Sequence, residues 1–137
     1  MEDIKPREVA WRFDGRDWVL RCNNNVLAEV QIINGGEFRP ILSTKRTLKS
    51  VLQLLAAMLN DYADEMRYVD ADGFAIRYTE KQLGRRLSLG TVNRLAPDVM
   101  RMAILAVRDA EAENSSADEK NAETRQEEAA VSTSPGT

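Results

Sequence analysis

The chain has 137 residues, 30% of them charged, with a formal net charge of −3, one cysteine and no histidine. That length suits one hydrophobic core, and the missing histidine removes the commonest general base and metal ligand, which disfavours catalysis without excluding carboxylate or lysine chemistry. A single cysteine allows no intramolecular disulfide and the segment Met1-Glu2-Asp3-Ile4-Lys5-Pro6 has no apolar signal core, so a cytoplasmic protein without a membrane span is expected.

The first 42 residues alternate in the period of two that marks strands. A two-residue turn within Asp14-Gly15-Arg16-Asp17 puts Val9, Trp11 and Phe13 on the same side as Trp18, Leu20 and Cys22. Three-residue loops at Asn23-Asn24-Asn25 and Asn34-Gly35-Gly36 continue that face through Val26, Ala28, Val30 and Ile32, then Phe38, Pro40 and Leu42. None of these positions is charged, and the pattern predicts a four-stranded antiparallel meander. Pro40 lacks an N–H for a ladder, which makes the fourth strand an edge. Cys22 alternates with Trp18 and Leu20 and reads as a small core residue rather than a reactive thiol.

After Leu42 the apolar period lengthens to about 3.6. Leu48, Val51, Leu52, Leu55, Met58, Leu59 and Tyr62 form the stripe of a long helix ending near Met66, with Thr44 or Thr47 as its N-cap. This helix should cover the uncharged sheet face and bury Trp11, Trp18, Leu20, Val30, Leu52, Leu55 and Met58 together. Leu54 and Ala57 widen its apolar arc, as contact with a later helix or with a second subunit requires. Tyr68 to Tyr78 reads as a second hairpin around an Asp72-Gly73 type I′ pair, with Val69, Ala71, Phe74, Ile76 and Tyr78 on one side. Thr79-x-x-Gln82 resembles a capping box opening a short helix to about Leu87, and Pro97 is expected to start a last helix that reaches about Ala112. The expected fold is therefore α+β, ordered ββββ-α-ββ-α-α, as one globular domain over residues 1–112. Residues 113–137 read as a disordered acidic tail: from Glu111 onward there are seven acids, two bases and no aromatic. The preceding 110 residues, with fifteen acids and seventeen bases, are net positive. Some secretion-chaperone-like proteins are similar in the order of their strands and helices, a likeness of fold alone.

Several patterns invite a chemical reading. Asp70-x-Asp72-Gly73 looks like part of a calcium loop, but aligning Gly73 puts Tyr68 and Thr79 where two essential ligands belong, so it reads as a turn. Asp61, Asp64, Glu65, Asp70 and Asp72 form an acidic run at the end of the long helix and read as a solvated helix end. Gln82-Leu83-x-Arg85-Arg86-Leu87 and Thr91-Val92-x-Arg94-Leu95 resemble the two helices of a helix-turn-helix, with a middle about two residues shorter than that motif's turn. Arg85-Arg86-Leu87-Ser88 has the pattern of a basophilic kinase site.

Function is expected to lie in binding. The leading reading is a small non-enzymatic protein-binding module of adaptor, inhibitor or chaperone type, without cofactor or metal. Its partner would be another protein, with homodimerisation open. The docking surface would be the outward sheet face, through Arg12, Arg21, Ile33, Arg39 and Ile41, a mixture of arginine and apolar residues that matches interface composition. The alternative is a nucleic-acid-binding accessory protein that uses Lys45, Arg46, Lys49, Arg85, Arg86 and Arg94, with the acidic tail as a shield.

Overall fold

Asp14 and Gly15 both take positive φ, 55° and 72°, the pair of left-handed residues that a type I′ turn requires and that Asp-Gly supplies with little strain. The turn joins β1 (Glu8–Phe13) to β2 (Arg16–Arg21) in register, with Trp11 opposite Trp18 and Val9 opposite Leu20. The computed structural model describes residues 7–36 and 47–109. Contacts divide the chain into two units, Met1–Ile104 and Leu105–Thr137, and the buried cluster lies in the first. Of the second unit, the described residues 105–109 are helical.

The four-stranded meander is not formed. The sheet has two strands, and the expected third strand is a helix, α1 (Asn24–Ile33). Asn23 is the cause at its start: its side chain accepts the Val26 N–H at 3.1 Å, which makes it an N-cap rather than a loop residue. Leu27, Ala28, Glu29 and Gln31 then favour helix. Val26, Leu27 and Val30, at helical spacing, are buried, while Ile32, placed inside by the alternating reading, is 79% exposed. The expected fourth strand falls outside the described residues. With the meander goes the likeness in element order to secretion-chaperone-like proteins. The observed class is still α+β, as a two-stranded ribbon with helices.

The long helix α2 (Leu48–Met66) forms where the apolar stripe predicts it, capped by Thr47 through a reciprocal box with Ser50. It packs against β2, α1 and α3 (Glu80–Arg86). From Ser50 to Asn60 it is buried all round, including Leu54 and Ala57. Trp18, Leu20, Val30, Leu52, Leu55 and Met58 share one buried cluster, and the half-buried Trp11 packs against it. Two buried amides serve α2's neighbours. Gln53 accepts from Asn34 at the end of α1 and donates to Glu80 at the start of α3. Asn60 pairs with the backbone of Tyr78, donating to its carbonyl at 3.0 Å and accepting its N–H at 2.7 Å, and so holds that extended stretch against the helix.

The second hairpin is reduced to one bridge, Val69 to Ala75, and its register differs by one residue from the type I′ expectation. Asp70 accepts the N–H groups of Asp72 and Phe74 on its side chain, and its carbonyl accepts from Gly73. Only Gly73 takes positive φ, so the loop has three residues rather than two. The slip sets Ile76 across from Tyr68 instead of Val69; Ile76 and Tyr78 are buried as expected, while Val69 and Phe74 are exposed. Thr79 and Gln82 form the expected capping box of α3. The last helix, α4, starts at residue 89 and runs through the end of the first unit, earlier than Pro97 suggested. Ser88 caps it, accepting the Thr91 N–H at 3.1 Å. Pro97 therefore lies inside the helix, where its missing N–H leaves the Asn93 carbonyl without a helical donor. Both residues are exposed, so water can serve that carbonyl.

Candidate functional site

The most constrained polar cluster joins three distant parts of the sequence. The type I′ turn points Asp14 outward, Asn60 fixes the backbone of Tyr78, and Arg86 projects from the last turn of α3. Arg86 grips the Asp14 carboxylate with both terminal nitrogens, at 2.7 and 3.1 Å, and Tyr78 donates its hydroxyl to the same carboxylate at 2.6 Å. The guanidinium also lies 5.1 Å from the Phe13 ring centroid, and Phe13 stacks flat on Trp11 at 4.6 Å. The hydrogen bonds from Arg86, then Tyr78, lower the Asp14 pKa to about 2. Burial, then the bond to Asp14, pushes the Tyr78 hydroxyl up to about 12. A carboxylate this acidic is a poor general base and a phenol this weak a poor general acid. The cluster is a latch. It borders a cavity of about 380 Å³ shared with Arg16, Asp70, Arg77 and Gln82.

A wider open groove of about 780 Å³ lies between α1 and the later turns of α2, lined by Asn23, Asn25, Glu29, Asn60, Asp61, Asp64, Glu65 and Arg77. Its carboxylates already have partners. Asp61 accepts from Asn23 and Asn25, Asp64 pairs with Arg77 at 2.7 Å, Glu65 pairs with Arg21 at 2.7 Å, and Glu29 accepts from Asn60. Among the described residues no group of three or more acidic or cysteine side chains is arranged to hold a metal ion. The acidic run is thus divided: Asp61, Asp64 and Glu65 line this groove, whereas Asp70 caps its own loop.

A third depression of about 150 Å³ separates the start of α2 from the start of α4. Thr47, Leu48, Val51, Leu89, Val92, Asn93 and Ala96 line it. Leu48 is 50% and Leu89 61% exposed, unusual for leucines on adjoining helices. The turns that carry the groove, residues 47–51 and 89–96, contain Lys49 and Arg94 and no acid. Both cations are exposed.

Of the residues expected on one outward sheet face, Arg12 and Arg21 share that face of the ribbon, at opposite ends, whereas Ile33 lies on α1. Arg12 lies at the turn end of the ribbon and pairs with Asp17 at 2.9 Å. Arg21, at the open end, reaches Glu65 and the Tyr62 ring. Ile33 ends α1 and is 51% exposed. Arg39 and Ile41 fall outside the described residues, as do Lys45 and Arg46 of the nucleic-acid set. Within that set, Lys49, Arg85 and Arg94 are exposed, but Arg86 is taken by Asp14. In the segment read as resembling a helix-turn-helix, Leu83, Val92 and Leu95 are buried and two residues, Leu87 and Ser88, link α3 to α4. The Asp14–Arg86 latch was missed because its partners stand 72 positions apart. The Leu48–Leu89 groove was missed because Leu48 fits the core stripe.

Cys22 is half-buried, and burial pushes its thiol up to about 12. Little thiolate exists at neutral pH, so alkylation by iodoacetamide should be slow in the native protein and fast in denaturant. Equal rates would contradict the buried placement. Among the described residues no helix is long and apolar enough to cross a membrane. No protein-family model, curated protein or solved structure matches the chain.

Proposed function

We propose that this chain is a small non-enzymatic protein-binding module that docks its partner in the groove between the first turns of α2 and α4. The observation that carries the reading is the exposure of Leu48 and Leu89, which line one small depression together. Large apolar side chains gathered at a surface mark contact sites more often than isolated ones do. Lys49 and Arg94 on the same turns, without a neighbouring acid in sequence, give the surface a positive local charge. The occupant is therefore a partner segment with an apolar anchor flanked by acidic residues. Arg12 and Arg21, each held in an ion pair, are secondary contributors.

The test begins with affinity capture on the full chain after nuclease treatment, followed by titration calorimetry with the captured protein. Replacing Leu48 and Leu89 with alanine should leave the melting temperature nearly unchanged, since both are surface positions. It should weaken binding by over about 1 kcal/mol. Wild-type affinity in that variant, with the partner verified as a direct binder, would move the site elsewhere.

A second reading, nucleic-acid binding, is favoured by the α3–α4 corner, where Lys81, Arg85 and Arg94 are exposed. Phosphate contacts would appear as steep loss of affinity with rising salt. Negligible oligonucleotide binding at physiological salt is expected, because Arg86 is held by Asp14 and the other described bases form no continuous stripe along the helices. Micromolar binding lost on replacing Arg85 and Arg94 with alanine would promote this reading over the first.

A further inference from the structure

The link between α3 and α4 carries the sequence Arg85-Arg86-Leu87-Ser88-Leu89, with two arginines two and three positions before a serine and an apolar residue after it. We propose that Ser88 is a phosphoacceptor for an arginine-directed serine kinase, and that the Asp14–Arg86 latch gates the modification. Such kinases select substrates by complementary charge around the acceptor and bind the segment in extended form. Part of the segment is already presented. Ser88 and Arg85 are exposed, Leu87 is extended with φ −101° and ψ 139°, and Leu89 is 61% exposed. No ion pair in the described residues engages Arg85.

The acceptor oxygen itself caps α4, accepting the Thr91 N–H at 3.1 Å, and Arg86 is also held. It is bound bidentate to Asp14, with its side chain 42% exposed. Presenting both arginines requires the last turn of α3 to open and Arg86 to leave Asp14. A helix of seven residues resists fraying weakly, since most of its stability comes from tertiary contacts. The latch is thus one barrier to recognition, and the Ser88 cap of α4 is the other. In the reaction the Ser88 hydroxyl oxygen attacks the γ-phosphorus of a magnesium-bound nucleoside triphosphate. The new O–P bond forms as the bond from that phosphorus to the β–γ bridging oxygen breaks. The nucleoside diphosphate leaves, and the serine proton passes to the kinase's catalytic aspartate. The product places a phosphate dianion two residues from Arg86, where it competes with the Asp14 carboxylate for the guanidinium. The proposal stands whether or not the Leu48–Leu89 groove is a docking site.

The test incubates the purified full chain with the catalytic subunit of an arginine-directed serine kinase and magnesium ATP, read by intact mass and by fragmentation. One phosphoryl group on Ser88 is expected, and none on the Ser88→Ala variant. Arg85→Ala should slow incorporation about tenfold, the scale of a lost charge contact in recognition. Asp14→Asn, which frees Arg86, and Tyr78→Phe, which loosens the latch while keeping both charges, should each speed it several-fold, with thermal melts confirming that the variants are folded. Incorporation on Thr79 or Thr91 with Ser88 unmodified, or none at all even in the unlatched variants, would overturn the site. Equal rates in wild type and in both folded latch variants would overturn the gate.

Discussion

Replacing Leu55 with alanine is expected to lower the unfolding free energy by about 2–5 kcal/mol, the range for a fully buried leucine whose cavity cannot collapse. Leu55 has no exposed surface and stands in the middle of α2, within the cluster that holds Trp18, Leu20, Val30 and Met58. A helix buried on every side leaves no flank free to move into the vacated volume. That places the expected loss in the upper half of the range. Urea melts at fixed pH measure it, and the slope should stay constant, since unfolding still exposes the same surface. A loss under about 0.5 kcal/mol, typical of a surface site, would mean that α2 does not form the centre of the fold.

Asp14→Asn is expected to flatten the acid limb of the stability profile. The Asp14 carboxyl falls from 3.8 to about 2 on folding, chiefly through its hydrogen bonds to Arg86. A lowered folded pKa contributes stability that is complete above the unfolded value and is lost as pH falls through the folded one. Wild type should therefore lose melting temperature between about pH 4 and pH 2 more steeply than the variant. Asparagine tolerates the left-handed backbone at this position nearly as well as aspartate, so the comparison isolates the charge. Tyr78 supplies part of the opposite limb, beside Cys22, whose thiol is also pushed up to about 12. The Tyr78 pKa rises from 10.0 to about 12, and a raised folded pKa gives stability that is present below the unfolded value and lost as pH increases toward the folded one. Tyr78→Phe should reduce that alkaline decline and leave the part due to Cys22. Parallel profiles for wild type and Asp14→Asn down to pH 2 would show that the latch is not closed in solution.

Features decided within a few residues were legible in the amino-acid order. Asp14-Gly15 names its own turn type, and period-two alternation on either side then sets the β1–β2 register, because a slip would turn Trp11 and Trp18 to the other face. The α2 stripe and the Thr79–Gln82 box were readable for the same reason: a cap bonds three residues ahead, and an apolar stripe repeats within two turns. Segments that satisfy two periods were not decidable locally. Val26, Ala28, Val30 and Ile32 fit a strand at spacing two, while Val26, Leu27 and Val30 fit a helix at spacing three to four. The choice fell to the Asn23 cap and to the apolar flank of α2 that α1 covers. At Asp72-Gly73 a common turn pair yielded to the Asp70 side chain, which captured two backbone N–H groups and lengthened the loop by one residue.

The surface was the least legible part, and the reason is range. Whether an arginine is free to bind a partner depends on which carboxylate the fold brings to it. Asp17 reaches Arg12 across five positions, Glu65 reaches Arg21 across 44, and Asp14 reaches Arg86 across 72. Sequence alone determined the kind of chain this is, an α+β core around one long apolar helix, because burial patterns repeat along the elements that carry them. Only the tertiary structure decided which charges are spent within the molecule and which leucines remain outside. Ion pairs and grooves arise between elements, and their partners leave no periodic trace in either one.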